Sequence, residues 1–318
     1  MSRLPTPNSI LGPSYALLPL ESQLLLVTSV LGTSPAWVIY SLLNDTFSNG
    51  GDVVLVSCLN EFTYFRDGAK RHGLDLQSHL KKDDFIFVDG LSKLFLSDAG
   101  SHGPQSIPSP PTTPSSLRGA IPTRAPISPR QQAPSIPAPG KAPSSLDPIR
   151  YITLGAAVGT SAAAIKQLDV IKAAVQAFPA KTARPRVIIE GLDIIMSATG
   201  IDVARIEDFI YELREITSTM AVLLPADPPL VHTTASSTPL EISHANLLVS
   251  LGHAADAILS LRLLDTGVAK DVSGVLRVTR GAGNLWRGAG AGAVEEKELL
   301  YHEADAGVKI FARGSGGH

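Results

Sequence analysis

Cysteine is almost missing from this chain: Cys58 is the only one in 318 residues. A single thiol rules out an intrachain disulfide and any cysteine-based zinc site. Such sparing use fits a reducing compartment, so a cytoplasmic and nuclear location is expected. An excess of charge of either sign is also missing. Against 27 Lys+Arg stand 29 Asp+Glu, a formal net charge of −2. That excludes a surface that grips nucleic acid over its whole extent and leaves room only for local patches. No apolar stretch reads as a signal peptide, because Pro5, Pro7 and Pro13 interrupt the N-terminus. The uncharged run from Ser22 to Asn44 carries Thr28, Ser29, Gly32, Thr33, Ser34 and Pro35 in its middle. A membrane helix would have to bury all of them in hydrocarbon, so the run is read as strand, loop and helix.

What the chain does have is a 44% hydrophobic fraction, enough for a sizeable core, and 24 prolines that cluster. Ser, Pro and Thr dominate residues 98–148, and no acidic residue lies between Gly100 and Leu146, whereas Arg118, Arg124, Arg130 and Lys141 are basic. Few side chains there could offset the entropy of ordering. The stretch is expected to be a disordered insertion. Its Thr113-Pro114 and Ser128-Pro129 pairs are candidate proline-directed phosphorylation sites.

The flanking halves share one alphabet of apolar run, turn and amphipathic segment. Leu24–Val27, Val53–Ser57 and Phe85–Val88 read as buried strands, with helices at Ala36–Phe47 and Glu61–His72 between them. Pro35 suits a first helical turn and Gly73 a helix stop. After the insertion, Ile165, Leu168, Ile171, Val175 and Phe178 recur at helical steps. Val187–Ile189 reads as a strand. Asp202 can cap a helix whose Val203, Ile206, Phe209, Ile210, Leu213 and Ile216 share a face, and Ala221–Leu224 is a further strand. Beyond residue 255 the rhythm changes to strands joined by turns, at Ala257–Leu263, Val272–Thr279, Glu298–Ala304 and Val308–Ala312. Alternating strands and helices predict a mostly parallel sheet, and the terminal meander predicts an antiparallel end. The insertion is placed between a strand and the next crossover helix. The expected organisation is an N-terminal extension over 1–22, one α/β domain over 23–97 and 149–314, and the insertion over 98–148.

In such a fold the first strand–loop–helix unit is where phosphate would be held. That chemistry needs glycines to let backbone N–H groups wrap the anion, a lysine against the outer phosphates and a hydroxyl for magnesium. The stretch Thr28–Pro35 has one glycine and no lysine, and no basic residue occurs between Arg3 and Arg66. A plain strand-to-helix connection is the reading it supports. Glu190 and Asp193, after Val187–Ile189, stand where a magnesium-holding or water-positioning acid would be; acids at strand ends are also common without function. Cys58 is read as a small buried hydrophobe in preference to a reactive thiol. Neither the His72/His79 pair nor the His244/His253 pair has the spacing of metal ligands on one helix face. No catalytic residue, metal or cofactor is expected. Arg280, Trp286 and Arg287 lie in a glycine-rich link between two late strands. They read either as RNA contacts, with Trp286 stacking a base, or as a hairpin loop with Trp286 packed on the sheet edge.

A particular order of segments carries a resemblance: Phe85–Leu91, Val187–Leu192, Leu247–Gly252, Asp256–Arg262, Asp271–Arg277 and Val308–Gly314. With a RecA-like α/β core lacking its phosphate lysine, the chain resembles subunit six of the Elongator complex. The resemblance covers most of the chain except the insertion and the extreme N-terminus. It implies a non-catalytic role in a hetero-hexameric ring with the sister RecA-like subunits four and five. That ring would bind tRNA and dock on the catalytic part of Elongator, which modifies wobble uridine. It also implies a degenerate phosphate loop. Two other readings stay open from the residues alone: an active NTPase with an atypical phosphate site, and a free-standing RNA-binding protein.

Overall fold

The structure is a computed structural model that describes residues 4–6, 10, 23–94, 149–151, 160–178, 184–265, 267, 269–285, 294–304 and 307–313. They belong to a unit formed by residues 1–97 and 148–318. The 98–148 insertion, Trp286, Arg287 and the first residues lie outside the described set.

The elements in chain order begin with β1 (Gln23–Ser29), α1 (Ala36–Ser48), β2 (Val53–Ser57), α2 (Phe62–Arg71), α3 (Leu76–Lys81) and β3 (Phe85–Asp89). Past the insertion come β4 (Ile149–Tyr151), α4 (Ser161–Gln176), β5 (Arg186–Glu190), α5 (Leu192–Thr199), α6 (Val203–Ile216) and β6 (Thr219–Pro225). The chain continues with α7 (Pro228–Val231), α8 (Pro239–Ala254), β7 (Ala257–Arg262), β8 (Gly274–Arg280), α9 (Ala282–Leu285), β9 (Lys297–Ala304) and β10 (Gly307–Ala312). All ten strands join one sheet in the order β10-β9-β8-β7-β1-β6-β5-β2-β3-β4. From β7 to β4 every pairing is parallel, and the pairs from β7 out to β10 are antiparallel. The mixed sheet with its antiparallel end is the predicted fold class.

The apolar runs explain the layering. β2 and β3 are buried at every position, which a strand tolerates only when both faces of the sheet are covered. On one face Leu25, Val27, Leu55, Phe87 and Ile188 pack under α1, α2 and α3. On the other, Leu24, Leu26, Val54, Val56 and Ile189 pack under α4, α5, α6 and α8. β7 instead alternates buried and half-buried residues, as a strand does near the edge of the covered region. Trp37 joins α1 to the antiparallel end of the sheet. It is fully buried, and its ring lies 5.4 Å from that of Tyr301 on β9. Truncating such an indole to alanine costs about 3–5 kcal/mol.

Local signals set the helix boundaries. Asp202 Oδ1 accepts the Ala204 N–H at 3.1 Å, as its predicted capping role requires. Thr238 and Glu241 form a reciprocal capping box at the start of α8. Gly191 and Gly200 bracket α5 with φ of 76° and 64°, a left-handed geometry that glycine adopts without a Cβ clash. Two expectations are corrected. The insertion leads from β3 to β4, a parallel neighbour, and not directly to a crossover helix. Ile165, expected on the buried face of α4, is 41% exposed. The other four expected positions, Leu168, Ile171, Val175 and Phe178, are buried, and Ala164 takes the inward place in the first turn.

Candidate functional site

The loop between β1 and α1 reaches the carboxyl edge of the sheet, where an α/β fold presents helix N-termini to ligands. Three of its backbone donors, those of Val30, Leu31 and Thr33, are engaged within the protein. Thr33 N–H donates to the Val30 carbonyl at 3.0 Å, closing a tight turn with Gly32 at φ 91°. The Thr33 hydroxyl also donates to the Val30 carbonyl, at 2.7 Å, while the Val30 N–H donates to Thr33 Oγ1 at 3.2 Å. The Leu31 N–H donates to the Asp227 carboxylate at 2.8 Å. A fixed carboxylate therefore sits on a donor that a phosphate would need. Pro35, at the N-cap of α1, brings no N–H of its own and no capping side chain, and Ser34 Oγ accepts the Ala36 N–H at 3.4 Å. A Cβ on Gly32 would come within 3.3 Å of Leu263 Cδ1, so the space beside the glycine is lined by an apolar chain. Leu31 itself is 85% exposed.

Glu190 ends β5 in the middle of the sheet and is 4% exposed. Its Oε2 accepts the Ser57 hydroxyl at 2.6 Å and Asn60 Nδ2 at 3.1 Å. Ser57 Oγ in turn accepts the Asn60 N–H at 2.9 Å and the Leu59 N–H at 3.2 Å. Burial raises the Glu190 pKa, the bonds from Ser57 and Asn60 oppose that rise, and the Asp193 charge adds to it. Asp193 is raised as well, first by burial, with His244 opposing. Asp89, at the end of β3, accepts the Leu91 and Ser92 N–H groups at 2.9 and 2.8 Å and the Ser92 hydroxyl at 2.7 Å. Glu190 is thus held by Ser57 and the loop after β2, and Asp89 by the loop after β3, and the cluster repels anions more than it invites them.

The remaining candidates fall apart spatially. Cys58 is buried, and its thiol pKa is pushed up to about 12 by burial and then by Asp193, Glu190 and Asp89. A thiol so placed is not an attacking group. His79 stacks on Phe47 with ring centroids 3.7 Å apart and hydrogen-bonds Asp84 at 2.9 Å; His244 Nε2 contacts the Pro225 carbonyl at 2.8 Å. His72 is buried against Tyr40. Arg280 is exposed at the end of β8, with its N–H donated to Glu296 Oε1 at 2.9 Å. Its expected companions Trp286 and Arg287 lie outside the described residues. The Asp227 contact escaped the sequence reading because it joins positions 196 residues apart. Two prolines, Pro228 and Pro229, follow Asp227 and are the one local hint of a rigid corner there.

These features define a class: an α/β chain with a mostly parallel sheet whose first strand-to-helix loop is closed by Asp227. Across the whole chain the fold is similar to a solved KaiC-like protein of the hyperthermophilic archaeon Pyrococcus horikoshii. The TM-score is 0.54 at 12% identity, and the match covers 98% of this chain and 97% of that one. At that identity the likeness speaks for the fold. No family model matches the chain. Among curated proteins it is similar to the Elongator complex protein 6 homolog of Schizosaccharomyces pombe, 31% identical over 129 residues. That match takes in 40% of this chain, which spans about half the length of the relative, at 47%. The likeness in sequence is thus partial, and the likeness in fold spans the chain.

Proposed function

We propose that the chain is a non-catalytic, structural subunit of the Elongator complex. In this reading it contributes one RecA-like domain, residues 23–97 and 149–314, to a hetero-hexameric ring with sister subunits four and five. The ring supports tRNA binding and wobble-uridine modification in the cytoplasm and nucleus. The observation that carries the reading is the β1–α1 loop: its Leu31 N–H is held by the Asp227 carboxylate, and no lysine or arginine occurs between Arg3 and Arg66. A triphosphate there would meet a fixed negative charge at a position that must neutralise it. The exposed leucines at the strand ends, Leu31, Leu59, Leu91 and Leu263, suit burial against neighbouring subunits.

The test is co-expression with subunits four and five, alongside titration of the lone chain with a fluorescent ATP analogue and magnesium. Stable co-elution of the three proteins and no saturable nucleotide binding by the lone chain are expected. ATP hydrolysis that disappears in Glu190→Gln would replace this reading with an active NTPase. For RNA we propose Arg280, Trp286 and Arg287 as the contact residues. Arg287→Ala should weaken tRNA binding by the assembled ring and reduce its salt dependence. Tight tRNA binding by the lone chain, with indifference to the sister subunits, would instead make it a free-standing RNA-binding protein.

A further inference from the structure

At its antiparallel end the sheet is met by a segment from far earlier in the chain. The register pairs Ile310 with Tyr301 and Ala312 with Leu299, so Leu299, Tyr301, Val308 and Ile310 share one face of β9 and β10. Trp37 of α1 packs on Tyr301 there. Leu4 and Ile10 join the same apolar core at 8% and 3% exposure. Both belong to the stretch expected to be an extension ahead of the domain. The Ile10 N–H donates to the Thr6 carbonyl at 3.2 Å, so the segment carries an internal tie of its own.

The seat is larger than what fills it. Beside Leu4 and Pro5 runs a groove of about 430 Å³, bounded by Leu299, Val308, Ile310 and Phe311. Lys297, the charged side chain of its lining, pairs with Glu295 at 3.1 Å, so the groove selects for apolar shape. What holds the segment is finely balanced. Burying two aliphatic side chains gains about as much as ordering the few residues that carry them costs. Proline, with its fixed φ, lowers that cost, and Pro5 and Pro7 flank Thr6. Residues 11–22 join Ile10 to β1, enough chain to reach up to ~40 Å. The segment can therefore leave its seat without pulling on β1. Its departure would put Leu299, Val308 and Ile310 in contact with water, an apolar patch that invites a replacement.

We propose that this groove is an exchangeable docking site, and that residues 4–10 are the occupant it holds in the single chain. The same segment supplied from another molecule takes the seat once the chain's own is displaced. Leu4 and Ile10 are the anchors, and β9 and β10 supply the floor. The inference goes beyond the ring reading and does not rest on it.

The experiment titrates a fluorescent peptide of residues 1–12 with the full chain, read by anisotropy. Two forms of the chain are compared: the native one, and one carrying Leu4→Asp and Ile10→Asp together. The double variant cannot seat its own segment, so it should bind the peptide saturably. The native chain should bind at least about tenfold more weakly, because its tethered segment competes at an effective concentration near millimolar. A peptide with Leu4→Asp should bind the double variant about tenfold more weakly than the native peptide does. Ile310→Ala, added to the double variant, should weaken the native peptide about fivefold and so locate it in this groove. Urea midpoints report whether each variant keeps its fold. Equal binding by native and double-variant chains, no saturable binding by the double variant, or indifference to Leu4→Asp in the peptide or to Ile310→Ala would overturn the proposal. Loss of the fold in the double variant would overturn it too, since the segment would then be a fixed part of the core. Failure to co-elute with subunits four and five while peptide binding persists would count against the ring reading alone.

Discussion

Asp256 lies just before β7 and is completely buried, and removing it should loosen the frame that holds β1. Its Oδ2 accepts the Leu24 N–H at 2.8 Å and an Arg214 Nη2 contact at 3.4 Å. Its own N–H donates to the Leu24 carbonyl at 2.8 Å. Arg214, on α6, also donates through Nη1 to the Ala254 carbonyl at the end of α8, at 3.1 Å. One carboxylate therefore joins β1, α6 and α8 on the face opposite α1. Breaking a buried ion pair by deleting one partner costs about 3–5 kcal/mol, because the surviving charge stays in a poor solvent. Asp256→Ala should fall in that range. Arg214→Met should cost less, about 1–3 kcal/mol, because Asp256 keeps its bond to Leu24. The double variant should be less destabilised than the two losses added together, by about 1–2 kcal/mol. Urea unfolding followed by tryptophan fluorescence measures each loss as a shift in midpoint at constant slope. A loss below about 1 kcal/mol for Asp256→Ala, or strict additivity in the double variant, would refute the reasoning.

Three other outcomes are expected. Cys58, with its thiol pushed up to about 12, should ignore a disulfide-exchange reagent at pH 8 in the folded chain and react at once in urea; rapid labelling of native protein would contradict its burial. The Glu190 pKa is raised above its unfolded value of 4.5, so its stabilising protonation is complete below that pH and is lost as pH rises through the folded value. Glu190→Gln should therefore lose less stability than the native chain between pH 4.5 and neutrality, and urea midpoints that fall no faster in the native chain would contradict the raised pKa. Gly68→Ala should destabilise by about 1–3 kcal/mol through the clash with Tyr40, and Tyr40→Phe should relieve part of that loss in the double variant. A neutral Gly68→Ala would mean the hydroxyl is not held against α2.

Particular elements show how far reading the chain could go. The continuous runs Val53–Ser57 and Phe85–Val88 are strands buried on both faces, and their composition alone demands that burial. The uncharged run from Ser22 divides into β1, a loop and α1 as its glycine and proline predict. Three elements gave weaker signals. α8 has Leu240, Ile242 and Val249 exposed while His244 is buried, so its inner face does not stand out as an apolar stripe. α5 is only two turns long, and its clearest marks are the glycines at either end. β4 has three residues, too few for any period to show. At the candidate site, the absence of a lysine was plain from the residues, whereas the carboxylate seated on Leu31 N–H was not.

By itself, then, the order of residues determined the class of fold, the strand-rich ending and the want of a cation in the first loop. Those are properties of composition and period, and each is settled by how a short stretch prefers to meet water. Only the tertiary structure decided that β2 lies beside β5 and not beside β1, that Asp227 closes the loop, and that Leu4 and Ile10 share a core with β9 and β10. Strand pairing is made by backbone N–H and carbonyl groups that every residue carries alike, so sequence says little about which strands meet. Contacts between residues some 200 positions apart exist only once the layers have packed.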